Sequence, residues 1–428
     1  DDHTELLMNI SFSSEDGAVK RLINDIDAAD FKDAVEIIGW LYQYYNEEER
    51  DRVINIYKGA IEKSDIPAAT QIFTTDWIVK YMVDNSLGKY WLERNPDSGL
   101  KEKLEYYIPS GYDETENNLK SDTVKPEDLT FFDPCVGSGH ILSYAFDVLM
   151  EIYRECGYQD PDAARSIVKN NLFGLDIDKR AAQLAYFAVM MKARKYNRRW
   201  LKKSSEPNIY AIEESDGMSE YDDALADDTV TANYLISVFK DAKETGSLIK
   251  PAAKDYKAFI HNLKPAKSYN DSYFQPSFIN TNLQNDSDKL EKLAVLADTM
   301  SRKYKIVCTN PPYMNRLGGR LRETARKYYK DYSGDLFSLF MYRNFEYCDD
   351  DGYCAFMTPF VWMFIKSYER LRRFIISHKC ITSLVQLEYS AFEEATVPIC
   401  TFVIRNARSP QGVGSADGLN RSKGACIK

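Results

Sequence analysis

From about residue 129 onward, short apolar runs of strand length alternate with amphipathic helical segments, and this alternation leaves few architectures open. The run "LTFFDP" leads into the helical "HILSYAFDVLMEIYRECG", "LFGLDID" into "KRAAQLAYFAVMMKARKY", and a third run, "NIYAIEES", follows. The rhythm resumes with the helix "KLEKLAVLADTMSRKY", the run "KIVCTN", a helix over "GDLFSLFMYRNFEYCDD", the run "YCAFMTP" and the helix "SYERLRRFIISHK". Strands separated by whole helices cannot pair as hairpins. Each helix must cross back over the sheet, which predicts an α/β fold with a doubly wound parallel sheet. The last two runs, "ITSLVQLEY" and "PICTFVIRN", are joined only by "SAFEEATV", too little for a crossover, so an antiparallel final hairpin is expected.

Helical segments flank and interrupt this core. Residues 1–70 form an N-terminal helical region, carried by "DAVEIIGWLYQYYNEEERDRVINIYKGAIEK", whose apolar positions recur at three- and four-residue steps. A further helix over "TTDWIVKYMVDNSLGKYWLERN" has Thr74 or Thr75 as its N-cap. Residues 71–406 form the main domain, interrupted at about 216–285 by acidic and polar helical pieces. A structureless loop of about 70 residues does not suit a compact domain, so an inserted helical subdomain is expected there. Residues 407–428 form a polar tail, and with no initiator Met the chain is expected to be a fragment.

Composition excludes some classes. The 428 residues are 44% hydrophobic and 28% charged, without an apolar run long enough for a membrane span, so no membrane role and a cytoplasmic location are expected. The eight cysteines lack metal-ligand spacing and are expected to be reduced core thiols, with no metal bound. A net charge of −10 argues against wholesale polyanion binding, yet affinity for nucleic acid depends on a local basic surface.

The first strand runs straight into "DPCVGSGHIL". Gly137 and Gly139 let the backbone turn tightly and approach a ligand, and the next helix begins with its free N–H groups facing the same place. No Lys-Ser/Thr follows, so this is not a P-loop. Asp133 and Pro134 precede the glycines, and the carboxylate suits a bound ammonium. Asp176 ends the second strand where dinucleotide folds place the acid that grips ribose hydroxyls, but later than the roughly 20 residues of nicotinamide enzymes, which points away from a dehydrogenase. Glu213 and Glu214 end the third strand and offer a polar edge to an adenine amino group. Together these acids describe a nucleoside crevice at successive strand ends.

The fourth strand, "KIVCTN", stops at Asn310, Pro311, Pro312 and Tyr313, because two prolines cannot donate to a ladder. D-P-x-x-G-S-G followed by N-P-P-Y resembles the γ-class of S-adenosylmethionine-dependent DNA adenine-N6 methyltransferases, whose F-T-P segment is matched by "IFTTDWIVKYMV", with Thr75 in place of proline. The segments "EIIGWLYQYYNEE", "DPCVGSGHILSYAFDVL" and "ATVPICTFV" more narrowly resemble the phage-exclusion (BREX) methyltransferases of the PglX family. The resemblance implies a Rossmann-like methyltransferase sheet and S-adenosyl-L-methionine as cofactor, with Thr74, Asp133, Pro134, Gly137, Gly139, Asp176 and Glu214 around it. It implies double-stranded DNA with a flipped adenine as partner, and other defence-system subunits besides.

N-P-P-Y suits this chemistry. The adenine amine is a poor nucleophile, and acceptors on both of its N–H bonds localise its lone pair. The Asn310 side-chain carbonyl and the Pro311 main-chain carbonyl are expected to be those acceptors, with Pro312 aiming them. Tyr313 is expected to stack on the flipped purine, and the resemblance adds Phe392 as a second aromatic. The stretch "RLGGRLRETARKYYK" holds six basic residues against one acid; Gly318 and Gly319 are expected to leave its start mobile, and Arg316 and Arg320 to hold phosphates. RNA adenine, a protein glutamine amide, or a catalytically silent cofactor- and DNA-binding module are the alternative readings.

Overall fold

The computed structural model describes residues 63–70, 74–109, 124–197, 206–219, 229–270, 278–332, 334–387, 398–407 and 425–427, with a few isolated positions besides. The greater part of residues 1–70 and 407–428, and Phe392, lie outside them.

Eight strands form one sheet in the order β3-β2-β1-β4-β5-β7-β6-β8. They are β1 (Phe131–Asp133), β2 (Leu172–Asp176), β3 (Asn208–Ala211), β4 (Tyr304–Thr309), β5 (Cys348–Pro359), β6 (Cys380–Gln386), β7 (Ile399–Arg405) and β8 (Ala425–Ile427). The first five strands pair in parallel, with Phe131 opposite both Leu172 and Ile306, and Thr309 opposite Phe356. β7 runs antiparallel between β5 and β6, so the expected final hairpin exists and also closes onto the parallel set. One expectation is corrected: Ala425–Ile427, in what the sequence presents as a polar tail, pairs in parallel with β6.

Helix α1 (Asp76–Val83) precedes the sheet, α2 (His140–Glu155) crosses from β1 to β2, and α3 (Lys179–Tyr196) from β2 to β3. Between β3 and β4 lie α4 (Thr229–Val238), a short helix Ala242–Thr245, α5 (Tyr256–Asn270) and α6 (Phe278–Ser301). Then come α7 (Gly319–Tyr328), α8 (Leu336–Tyr347) and α9 (Glu369–His378).

The period-2 alternation of the strands divides the core into two layers. Phe131, Ile306, Cys308, Ala355 and Met357 face α1, α2 and α3 on one side. Phe132, Val307, Cys354 and Phe356 face the other, where Leu235 of α4, Phe259 of α5, Leu293 of α6, Met341 of α8 and Ile375 of α9 cover them. Helices on both faces leave the carboxyl ends of the parallel strands as the open rim, where a doubly wound sheet binds its ligands.

Candidate active site at the carboxyl ends of the strands

β1 and β4 are neighbours, so the D-P turn and the N-P-P-Y segment emerge side by side. Two hydrogen bonds from consecutive residues tie this corner together. Thr309 Oγ1 donates to Asp133 Oδ1 at 2.7 Å, and one residue on, Asn310 Nδ2 donates to Thr74 Oγ1 at 3.1 Å. The carboxylate that closes β1 and the threonine before α1 are therefore each tied to the end of β4, through Thr309 and Asn310 in turn. Sequence reasoning missed Thr309, because a threonine inside an apolar strand carries no signal of a partner 176 positions away.

Asp133 is fully buried, and burial pushes its carboxyl up to about 7 against the hydrogen bonds from Thr309 and the Cys135 N–H. Its Oδ2 has no hydrogen-bond partner among the described residues. The same holds for Thr75 Oγ1, beside Thr74; Thr75 is the N-cap of α1 but makes no side-chain capping bond. Two buried polar atoms, one at the strand end that enters the glycine turn and one next to the threonine bonded to Asn310, fit a polar, cationic ligand group that would complete them. Among the described residues no group of His, Cys, Asp or Glu side chains is placed to hold a metal ion.

The two glycines differ. Gly137 has φ +53°, and a Cβ there would meet nothing within 4 Å, so the backbone faces open space. Gly139 has φ +88°, and a Cβ there would lie 2.8 Å from Ala185 Cα on α3. Its missing side chain therefore lets α3 approach, a packing role beside the one expected of the turn. Asp176 braces the turn: Oδ2 accepts from the Gly137 N–H and Oδ1 from the Asp178 N–H, both at 2.8 Å. Burial nonetheless raises its carboxyl to about 6, opposed by those bonds. The Ile177 N–H bonds the carboxylate as well, which leaves the two oxygens about one lone pair between them for a ribose hydroxyl.

Glu214 forms an ion pair with Lys63 at 2.7 Å and accepts from the Lys243 N–H at 2.9 Å, tying the exit of β3 to residues 63–65 and to the short helix Ala242–Thr245. Both contacts use Oε1.

On the acceptor side, Tyr313 is half-buried and anchored. Its hydroxyl donates to Asn310 Oδ1 at 2.8 Å and stands 3.0 Å from the Met357 carbonyl, while its ring meets Phe337 edge-on at 6.2 Å. The Asn310 amide is thus held at both ends, and a carbonyl oxygen of this kind can accept a second hydrogen bond. Pro311 is buried and Pro312 half-buried. Asp335, the N-cap of α8, accepts from the Met314 N–H at 2.9 Å and so fixes the chain directly after Tyr313. The capping signature "DLFS" could have announced it. Arg316 and Arg320 are exposed at the same rim, and the expected mobile start of α7 is clamped: Glu244 Oε2 accepts from the Arg320 N–H at 2.6 Å.

Residues 170–392, which include Asp176 and the whole N-P-P-Y segment, match the family described as Eco57I restriction-modification methylase. The chain belongs to that family. Among relatives of this Eco57I-type methylase, the adenine-specific methyltransferase BrxX of Escherichia coli O9:H4 (strain HS) is 36% identical over 452 aligned positions, covering 96% of this chain and 36% of that one. The adenine-specific methyltransferase PglX of Lacticaseibacillus casei (strain Zhang) is 37% identical, covering 98% of this chain and 36% of that one. The methylase chain thus spans about a third of the length of the curated relatives it matches. Among solved structures, the DNA-bound ATP-dependent Type ISP restriction-modification enzyme LlaBIII is 12% identical, with a TM-score of 0.46 over 85% of this chain and 20% of that one. No helix among the described residues is long and apolar enough to cross a membrane.

Proposed function

We propose that this methylase moves a methyl group from S-adenosylmethionine to the N6 amine of adenine in DNA, within a phage-defence or restriction-modification system. Two hydrogen bonds made by consecutive residues at the end of β4, Thr309 to Asp133 and Asn310 to Thr74, support this most directly, since they tie expected cofactor residues to the expected acceptor segment. The relatives named as adenine-specific methyltransferases support the choice of base.

S-adenosylmethionine, when bound, supplies a methyl group made electrophilic by its sulfonium. The chain's own residues do the rest. Asp133 Oδ2 and Thr75 Oγ1 take the polar groups of the methionine part, and Asp176 the ribose. Asn310 Oδ1, through its second lone pair, and the Pro311 carbonyl accept the two N–H bonds of adenine. These acceptors strengthen as positive charge develops on nitrogen, so the proton leaves to solvent without a strong base. Tyr313 keeps Asn310 aimed and offers a ring face to the flipped purine, while Arg316 and Arg320 hold flanking phosphates.

Incubating this chain, and separately the intact protein, with radiolabelled S-adenosylmethionine and unmodified DNA tests the reading. Label is expected on adenine N6. Label on RNA or protein but not on DNA would overturn it, and cofactor binding without transfer by the intact protein would favour the silent module.

A further inference from the structure

Residues 242–248, between β3 and β4, touch both halves of the site. On the cofactor side, Ser247 Oγ donates to the Pro134 carbonyl at 2.6 Å, and a Cβ on Gly246, which has φ +57°, would lie 3.0 Å from Ile177 just past β2. On the acceptor side, the Tyr329 hydroxyl donates to the Leu248 carbonyl at 2.9 Å, and Leu248 is buried with Met314 and with Leu321 and Ala325 of α7.

The contact made by Glu244 is the most specific of these. Helix α7 has no cap of its own, because Gly318 at its N-cap position has no side chain. Gly319 has φ +46°, and a Cβ there would collide with Glu244 Oε2. The carboxylate occupies that space, accepts from a first-turn N–H and meets the positive end of the helix dipole, which is the work of an N-cap supplied from a distant element.

We infer that Glu244 is a positioning residue for the acceptor. It fixes the first turn of α7 against the exit of β4, so that the cations of α7 stand beside Asn310 in the geometry that DNA requires. The inference rests on the DNA reading above. It also gives residues 242–248 a role, since they set the acceptor helix relative to the cofactor turn.

Charge counting and positioning predict opposite results. Glu244 is an acid beside the basic groups of α7, so its removal should by charge alone strengthen DNA binding. If it positions α7, Glu244→Ala in the intact protein raises the KM for DNA about fivefold to tenfold, with cofactor affinity by calorimetry unchanged within about twofold. Glu244→Gln, which keeps an acceptor oxygen, restores the KM. A KM that holds or falls in Glu244→Ala overturns the inference, as does a parallel loss of cofactor affinity. Hydrogen exchange gives a readout independent of any activity: protection of the amides of residues 319–322 falls in Glu244→Ala but not in Glu244→Gln. Unchanged protection in both overturns the inference even if DNA is methylated. If the unsubstituted protein labels no DNA, the proposed function fails, while the exchange result still decides whether Glu244 holds α7.

Discussion

Asn310 is gripped by Thr74 at Nδ2 and by Tyr313 at Oδ1, so the direction of its carbonyl is set before any substrate arrives. Thr74→Val keeps the shape of the threonine and removes the acceptor. Methyl transfer should fall about tenfold to a hundredfold with DNA affinity unchanged, and Thr74→Ser should recover it, as read from kcat and a gel shift. Asn310→Ala should abolish transfer and leave cofactor binding near normal; equal loss of both would make Asn310 structural. Asp133 supplies a pH test. Its folded carboxyl, at about 7, lies above the usual carboxylate value, so its contribution to stability is fully present below about pH 4 and is lost as pH rises through about 7. A cationic ligand favours the ionised form, so cofactor affinity should rise with pH up to about 7 and then level off, with proton release below it. Asp133→Asn should flatten both profiles, and a pH-independent titration of the unsubstituted protein would remove the ammonium assignment.

At the scale of elements, the glycine turn shows what a sequence can and cannot tell. That Gly137 and Gly139 mark a tight strand-to-helix turn is legible in "DPCVGSGH", since the constraint is local. That Gly139 makes room for Ala185 is not, because α3 reaches that point only through the sheet. The two positions should respond differently to alanine. Gly139→Ala combines a left-handed φ with a backbone collision and should cost about 2–5 kcal/mol in urea unfolding, whereas Gly137→Ala, with φ strain alone, should cost about 1 kcal/mol. Comparable losses would mean that the turn tolerates a shift of α3. The same division runs through the rest of the site. Asn310 and Asp176 were readable because strand ends and turn residues announce themselves in sequence. Thr309 and Glu244 were not, because their partners are set by strand order and by packing between distant segments. Glu214 was readable as a strand-end acid, but its pairing with Lys63 was not.

For the molecule as a whole, the parallel sheet and its antiparallel end followed from the alternation of runs, while the insertion of β7 between β5 and β6 and the edge strand β8 depend on pairings that no local pattern encodes. The chain carries a net charge of −10, so a DNA-binding face must be a local departure from the global sign. Arg322 and Arg326 are exposed on α7, one loop beyond Asn310, whereas Lys169 is exposed ahead of β2 at the opposite ends of the strands. If α7 is the electrostatic footprint, DNA affinity should fall linearly with the logarithm of salt concentration, and each phosphate contact should contribute about 0.9 to the slope. Arg322→Gln with Arg326→Gln should therefore flatten the slope by about 1.8 and weaken binding to all sequences alike. Lys169→Gln should leave the slope unchanged, because a cation at the far ends of the strands releases no counterions from DNA held at the rim. Equal slopes for all three proteins, measured by fluorescence anisotropy across a salt series, would place the DNA on another face and detach α7 from the acceptor half of the site.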